Sequence, residues 1–323
     1  MTDLAELLTR AVAAPYALAR DELAALLAAE DSAAEADLFA AARTVKYACG
    51  RSETLPRGLI ECSNRCAKDC LYCGIRRSNA RVVRYGLAED EVTDLVEEAR
   101  RRGYPAVAFQ AGEIESEANT AYYERLLAAA KGLEVTLSLG EQTEEVYRRW
   151  KDAGAMRYLI RIETSNRDLY AKLHPADCSY DRRVGCIRTL KRLGYVTGSG
   201  VMIGLPGQTV GDLADDILFF ARERLDMVGM GPYIPHPDTP LGRGVAAPSS
   251  GERLLRQALR MIAVTRLFLH GVNIVAATAL EALDPAAGRD RGIAAGANVV
   301  MPNLTPSGAR AGYDLYPGKV SAE

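Results

Sequence analysis

The chain has 323 residues, of which 48% are hydrophobic and 25% charged, and its formal net charge is -2. Such a composition supports a large buried core, and the near-neutral charge favours neither nucleic acid nor an anionic membrane as a partner. Apolar runs fall short of the ~18 residues of a membrane-spanning helix. The first residues lack the basic and apolar regions of a signal peptide, so we expect a cytoplasmic protein.

Residues 1–50 are rich in Ala, Leu and Glu with helical periodicity, which predicts a cap of three helices near 3–12, 20–29 and 34–48. From residue 51 onward, short apolar runs alternate with amphipathic segments. Strands are predicted at 58–62, 106–111, 135–139, 157–164, 197–203, 227–233, 273–278 and 298–301. Helices are predicted between them, as at 89–102, 143–153, 182–193, 210–223 and 251–269. Eight repeats predict that residues 51–323 form a complete (β/α)8 TIM-type barrel, an α/β fold, with 280–295 as its weakest unit.

Three closely spaced cysteines directly follow the first predicted strand. Cys66, Cys70 and Cys73 have the spacing C-x3-C-x2-C, with the aromatic Tyr72 just before the third. Three thiolates on one short loop can hold a 4Fe–4S cluster and leave one iron free for a small molecule. This arrangement is typical of radical S-adenosylmethionine enzymes, which cleave that molecule reductively to a 5′-deoxyadenosyl radical. The spacing therefore predicts one 4Fe–4S cluster, with S-adenosylmethionine as the second cofactor.

Zinc is the alternative occupant of this cysteine segment. A structural zinc site needs four ligands, and Cys62 is available as the fourth. Zinc ribbons, however, pair two C-x2-C hooks, and the remaining cysteines, Cys49, Cys178 and Cys186, are scattered. Because no cysteine follows Cys186, we expect no second cluster in the C-terminal part of the sequence.

The fourth predicted strand has a charged face. Side chains alternate along a strand, so Arg157, Arg161 and Glu163 share one face, while Tyr158 and Ile160 lie on the other. The apolar face is expected to meet the helices and the charged face to point into the barrel. Buried charges need partners. Two interpretations follow: an internal Arg161–Glu163 ion pair, or a ribose-binding Glu163 with two arginines for an anionic substrate.

Further polar residues lie near the predicted strand ends, where barrel enzymes place their active sites. Thr136 and Ser138 share a face of the third strand and are equally consistent with ligand binding and with packing. His236 lies in a rim loop and is interpreted as a turn residue. His174 and His270 are interpreted as surface residues.

Longer segments resemble the HydE family of FeFe-hydrogenase maturases, which are radical S-adenosylmethionine enzymes. The resemblance extends from about 57 to 319. Its marks are the segments 61–74, 136–141, 157–164, 204–209, 226–232, 234–241, 302–307 and 315–319. The cysteine motif marks only the superfamily, whereas the segments in strands four and six are more specific. One departure is strand seven, which has the single threonine Thr278 where relatives often have two.

The resemblance implies a role for each residue at the predicted rim and in the barrel. The catalytic cluster ligands would be Cys66, Cys70 and Cys73. S-adenosylmethionine would be held by Tyr72, Gly112, Glu113, Ser138, Glu163, Arg182 and Met202, with Glu163 on the ribose and Arg182 on the carboxylate. The substrate region would comprise Thr136, Arg157, Arg161, Thr278, Tyr313 and Tyr316.

The resemblance also implies a substrate and partners. The substrate would be an anionic iron complex carrying carbon monoxide, cyanide and cysteine, made by the maturase HydG and used to build the di-iron subcluster on the scaffold HydF. A ferredoxin or flavodoxin would supply electrons. Two alternatives are a radical enzyme of the methylornithine synthase or biotin synthase type, acting on an amino acid or other small molecule, and a non-catalytic cluster carrier, which would not need a ribose-binding Glu163.

Overall fold

The computed structural model describes residues 3–243 and 251–319. The predicted cap is present as α1 (Leu4–Ala13), α2 (Arg20–Leu27) and α3 (Ser32–Ala48). The side chains of Asp3 and Asp31 accept hydrogen bonds from the first free backbone N–H groups of α1 and α3, which fixes where these helices begin. The cap packs against α9 (Val210–Arg222) and α10 (Gly251–Leu269), two helices of the barrel.

The rest of the described chain alternates strands and helices. The strands are β1 (Leu55–Pro56), β2 (Gly58–Ser63), β3 (Ala106–Ala111), β4 (Glu134–Ser138), β5 (Arg157–Leu159), β6 (Val196–Ser199), β7 (Met202–Ile203), β8 (Met227–Pro232), β9 (Asn273–Ala276) and β10 (Val299–Val300). The further helices are α4 (Glu89–Arg101), α5 (Glu117–Ala129), α6 (Glu144–Asp152), α7 (Arg167–Leu173), α8 (Tyr180–Arg192), α11 (Thr278–Leu283), α12 (Gly288–Ala294) and α13 (Ser307–Gly312).

The parallel pairing order is β1-β10-β9-β8-β6-β5-β4-β3-β2, with β7 paired to β8. β1 and β2 are consecutive pieces of one strand separated by Arg57, and β6 and β7 are two pieces of another. Because β1 pairs with β10 while β2 pairs with β3, the ring of pairings closes. Within the described residues, the predicted eight-stranded parallel barrel with a helical cap is confirmed.

The main core lies between the outside of the barrel and the helices. Tyr158, Ile160 and Ile162 are fully buried there, so the apolar face of the fourth barrel strand meets the helices as predicted. Tyr158 stacks on Trp150 of α6 with ring centroids 6.3 Å apart. The opposite face of this strand therefore points into the barrel.

Ion pairs fill the barrel at the N-terminal ends of its strands. Glu134, the first residue of β4, accepts hydrogen bonds from Arg157 Nε at 3.0 Å and from Arg57 Nη1 at 3.4 Å. Arg157 begins β5, whereas Arg161 follows the end of that strand. Arg157 therefore lies nearer the N-terminal end of the barrel than Arg161.

Element boundaries differ from the predicted ones where the regular strand pairing is interrupted. The fifth barrel strand breaks at Gly200, where a Cβ would lie 1.8 Å from the carbonyl oxygen of Gly229. The weak unit 280–295 contains the two short helices α11 and α12. None of the helices in the described ranges has both the length and the apolar character needed to cross a bilayer.

Candidate active site

The three cysteines lie on the segment 64–86 between β2 and α4, here called the cluster loop. Arg84 holds this loop together from within. Its Nη1 donates to the carbonyl oxygens of Asn64 and Ile75, both at 2.7 Å, and its Nη2 donates to Arg76 O at 2.5 Å. One guanidinium thus joins the two flanks of the cysteine segment through its fixed fork of donors.

The three cluster-loop cysteines are partly buried. Burial raises the pKa of Cys66 and raises that of Cys70 to about 12. The pKa of Cys73 lies well above its ordinary value because the thiol is buried and because it faces Cys70 and Cys66. The backbone N–H of Glu113 donates to Cys66 Sγ at 3.4 Å. The electrostatic influence of Cys66 and Cys70 on Cys73, with the backbone donor at Cys66, fits three ligands of one 4Fe–4S cluster, whose positive irons would stabilise the deprotonated thiolates.

Cys62 points away from these three thiols. It is fully buried in the layer between barrel and helices, where its Sγ lies 3.6 Å from Ile60 O, and burial raises its pKa. Its strand neighbour Glu61 belongs to the opposite, barrel-facing side. The placement of Cys62 favours a three-cysteine cluster over a four-cysteine zinc site.

A buried charge network lies beside the cluster loop. Lys68, between the first two cluster cysteines, contacts Glu113 Oε1 at 3.1 Å and Glu141 Oε2 at 3.5 Å. Glu113 also accepts the backbone N–H of Glu141 at 2.8 Å. Burial raises the pKa of Glu113, and its polar partners offset that effect only in part. A Cβ at Gly112 would lie 2.2 Å from Arg65 O, so any side chain there would displace the cluster loop.

Two consecutive arginines of α8, one half exposed and one buried, contact this charge network. Arg182 is half exposed, pairs with Glu115 and lies 3.2 Å from Glu141 Oε2. Arg183 is buried; its Nε donates to Glu141 Oε1 at 2.6 Å and its Nη1 to Arg161 O at 2.6 Å. Burial pushes the pKa of Glu141 upward, but Arg183, Lys68 and Arg182 outweigh it and hold that pKa below its ordinary value. The inner cation is thus Arg183, whereas Arg182 lies at the rim.

Tyr72 and Met202 meet in a small apolar cluster at the mouth of the barrel, together with Leu169, Leu173, Leu205 and Tyr233. His174 positions Tyr72: its Nδ1 donates to Tyr170 O at 2.9 Å, which leaves Nε2 to accept the Tyr72 hydroxyl at 3.3 Å. Burial lowers the pKa of His174 to about 4, so the ring is neutral at pH 7. The interpretation of His174 as a surface residue is wrong, because Tyr170 stacks on its ring with centroids 3.9 Å apart.

Glu163 follows β5, which ends at Leu159 rather than at the predicted residue 164, and it has an unusual backbone. Its φ is +67°, a left-handed conformation uncommon for a residue with a side chain. The neighbouring strand holds it on both sides, because Glu163 N donates to Gly200 O and Met202 N donates to Glu163 O, both at 2.9 Å. Arg161 Nε lies 3.0 Å from each Glu163 carboxylate oxygen. The ion pair that the sequence left open is therefore present.

The predicted substrate residues divide into two levels. Thr136, the third residue of β4, lies in register with Arg157, and its buried hydroxyl has no hydrogen-bond partner among the described residues. Near the mouth, Thr278 Oγ1 lies 2.7 Å from the Tyr316 hydroxyl. Tyr313 is buried, and Ser138 ends β4 beside Gln110.

Sequence reasoning missed one charged pair in this region. Lys319 pairs with the buried Glu61, and Lys319 Nζ also donates to Tyr313 O at 3.0 Å. The second oxygen of Glu61 has no partner among the described atoms. The next residue of the strand, Cys62, points outward and is buried between the barrel and the helices. Because side chains alternate along a strand, the sequence could have predicted that Glu61 points into the barrel.

Comparisons with known proteins agree with this geometry. The family model of the radical SAM superfamily matches residues 60–220. The FeFe-hydrogenase maturase subunit HydE of Thermotoga maritima is 44% identical over 93% of this chain and 84% of that protein. Two crystal structures share the fold: methylornithine synthase PylB, at 23% identity and TM-score 0.81 over 91% of this chain and 85% of that one, and the maturase HydG, at 20% identity and TM-score 0.82 over 99% and 72%.

The cysteine loop and the charged barrel mouth agree with the similarity to HydE. The chain belongs to the HydE family of radical S-adenosylmethionine enzymes.

Proposed function

We propose that this chain is a hydrogenase maturase of the HydE type. It would act through a 5′-deoxyadenosyl radical on a small anionic iron complex that carries carbon monoxide, cyanide and cysteine. The observation that carries this proposal is the Arg161–Glu163 pair at the barrel mouth. It brings a ribose acceptor and a fixed cation together next to Tyr72 and the cluster loop.

Residues around the barrel mouth would hold S-adenosylmethionine. Cys66, Cys70 and Cys73 would hold a 4Fe–4S cluster, which would supply the electron for the reductive cleavage of S-adenosylmethionine. Glu163 would accept the ribose hydroxyls, and Tyr72 with Met202 would form an apolar wall for the adenine. Arg183 is more deeply buried than Arg182. Arg183 would therefore pair with the methionine carboxylate in two parallel bonds, and Arg182 would assist from the rim.

Arg161 would orient the substrate. Its Nη1 and Nη2 donate to the carbonyls of Gly229 and Val201 at 3.1 and 2.9 Å, so the backbone fixes the guanidinium. When ribose engages Glu163, the positive charge of Arg161 loses part of its compensation. In a buried, low-dielectric site that charge favours an anionic ligand. The unpartnered Thr136 hydroxyl offers a hydrogen bond deeper in the barrel.

The chemistry of this substrate determines the partners. An iron complex with carbon monoxide and cyanide must be made by another maturase, which we propose to be HydG. The product would be delivered to HydF for assembly of the di-iron subcluster. An acidic ferredoxin or flavodoxin would supply the reducing electron.

The test is anaerobic turnover of the reconstituted protein with S-adenosylmethionine. We expect 5′-deoxyadenosine formation that the HydG-made iron complex stimulates at least tenfold. Stimulation by lysine or dethiobiotin instead would assign the chain to the methylornithine synthase or biotin synthase type. An intact cluster with no cleavage of S-adenosylmethionine under any condition would indicate a cluster carrier and contradict the proposal.

A further inference from the structure

The cluster loop is strongly basic in a chain that is slightly acidic. Residues 64–86 contain six basic residues and one acidic residue, against 40 basic and 42 acidic residues in the whole chain. The acidic residue, Asp69, pairs with Arg76 at 2.9 Å. The excess positive charge therefore lies on the loop that carries the cluster cysteines.

These cations have two different roles. Lys68 and Arg84 are engaged inward, with Glu113 and with backbone carbonyls. Arg65 and Arg77 are exposed, and their side chains have no ion-pair partner in the part of the chain that the structure describes. Arg81 reaches Asp238 at 2.5 Å, yet 81% of its side chain is exposed. Pairs as exposed as this contribute little to stability, so they do not explain the basic surface.

The same surface has an apolar feature and a recess. Val83 is 81% exposed. Beside it lies a cleft of about 400 Å³, bordered by Arg81, Val83, His236 and Asp314. Asn64 links the parts of this surface, because its side-chain nitrogen donates to Val83 O at 2.8 Å while its own carbonyl accepts from Arg84. Arginines around an exposed apolar residue are typical of a protein-binding surface.

We propose that this surface, formed by Arg65, Arg77, Arg81 and Val83, docks a small acidic one-electron carrier protein. The inference rests on the proposed function, because it assumes a cluster on Cys66, Cys70 and Cys73 that must be reduced. Each cleavage consumes one electron: the carrier loses it, and the carbon–sulfur bond of S-adenosylmethionine breaks to give methionine and the 5′-deoxyadenosyl radical. A partner docked on this surface would contact the same loop that carries the three cysteines.

Opposite charges act mainly on the rate of encounter and on orientation. The experiment follows reduction of the reconstituted cluster by stopped flow, with reduced flavodoxin in one arm and reduced ferredoxin in the other. Photoreduced deazaflavin, a small neutral donor, is the reference. For at least one protein donor we expect the rate to fall tenfold or more between 20 and 300 mM salt, roughly as steered association does. The deazaflavin rate should change less than about twofold.

A charge-reversal pair tests the surface itself. Arg65→Glu/Arg77→Glu should slow reduction by the protein donor roughly tenfold and leave deazaflavin-driven cleavage of S-adenosylmethionine unchanged. The matched control is Lys131→Glu/Arg224→Glu, which makes the same change in net charge on exposed residues after α5 and α9, at the far end of the barrel. It should slow the protein donor by less than about twofold.

Three outcomes would overturn the docking proposal: salt-independent reduction by both protein donors, equal effects of the two variant pairs, or a loss that deazaflavin shows as well. Failure of the proposed function is distinguishable from all of these. In that case the wild-type protein would not cleave S-adenosylmethionine even with deazaflavin.

Discussion

Arg161 holds Glu163 in a charge-assisted contact, with Nε 3.0 Å from both carboxylate oxygens and Nη2 2.9 Å from one of them. The two residues are separated by one position on the segment that directly follows β5, and Glu163 has a left-handed backbone with φ +67°. The ion pair leaves room for a ligand to replace one partner. When ribose hydroxyls bind the Glu163 carboxylate, the Arg161 guanidinium stays in place, because two backbone carbonyls still accept its hydrogen bonds.

The first prediction concerns S-adenosylmethionine binding. Glu163→Gln keeps the shape but loses charge-assisted bonds, which should weaken binding by roughly 1–3 kcal/mol. Arg183→Leu should weaken it at least as much, and the half-exposed Arg182→Leu by less. Isothermal titration of the anaerobic, cluster-loaded protein measures all three. Unchanged affinity in Glu163→Gln and in both arginine variants would mean that these charges are structural.

The second prediction concerns the cluster ligands. Alanine at Cys66, Cys70 or Cys73 should abolish the visible absorption of the reconstituted cluster, because a site with two thiolates is incomplete. Cys62→Ala is the matched control and should retain the absorption, since that thiol lies in the helix-facing core. Stoichiometric zinc without iron uptake in the anaerobic protein would contradict the cluster assignment.

The third prediction concerns Arg84, whose guanidinium bridges the flanks of the cluster loop. Arg84→Met leaves three carbonyl groups without their charged donor, and should lower the melting temperature of the cluster-free protein and speed iron loss from the loaded one. Arg84→Lys should recover only part of both properties, because an ammonium lacks the planar fork. Arg77→Met is the control, and an effect as large as that of Arg84→Met would refute this role.

The sequence predicted the architecture of the barrel more fully than the contacts of its candidate site. The barrel, its cap and the inward charged face follow from periodicity, because alternation fixes which side chains of a strand share a face. The inner role of Arg183 does not follow, since adjacent helical residues point about 100° apart and only packing shows which one is buried. The carbonyl contacts of Arg84 also depend on a loop fold that has no periodic signal.

The fourth prediction concerns pH and the turn that follows Glu163. Asp216 on α9 is fully buried, accepts the Ser165 N–H at 2.6 Å, and has a second oxygen without a partner among the described atoms. Burial raises its pKa to about 7, and the nearby Asp212 and Asp215 act in the same direction. A carboxyl with a raised folded pKa costs stability once it ionises, so this cost grows as the pH rises from ~4 to ~7.

Asp216→Asn can still accept the Ser165 N–H but cannot ionise. It should therefore stabilise the protein at pH 8 by roughly 1–3 kcal/mol and have little effect at pH 5. Urea denaturation of the cluster-free protein at the two pH values measures the difference. Equal effects at both pH values, or destabilisation at pH 8, would contradict the prediction, because the ionised Asp216 carboxylate would then not be unfavourable in the folded protein.

The last prediction separates substrate binding from internal ion pairing. In Arg161→Leu the protein should fold, assemble its cluster and bind S-adenosylmethionine with at most about a tenfold loss, yet fail to convert the iron complex, because its orienting cation is gone. Uncoupled 5′-deoxyadenosine formation should persist while product formation falls by 100-fold or more, as expected when a transition-state contact worth roughly 3 kcal/mol is lost. Arg157→Leu is the comparison variant: it removes the same group from the same face, but at the N-terminal end of the strand, where Arg157 pairs with Glu134. Because that ion pair occupies the guanidinium, we expect this variant to lose stability and to retain the ratio of product to 5′-deoxyadenosine. A ratio that falls as far as in Arg161→Leu would place Arg157 in the substrate region as well. The substrate role of Arg161 falls if Arg161→Leu and Glu163→Leu both prevent folding, because the two charges would then serve mainly to neutralise each other.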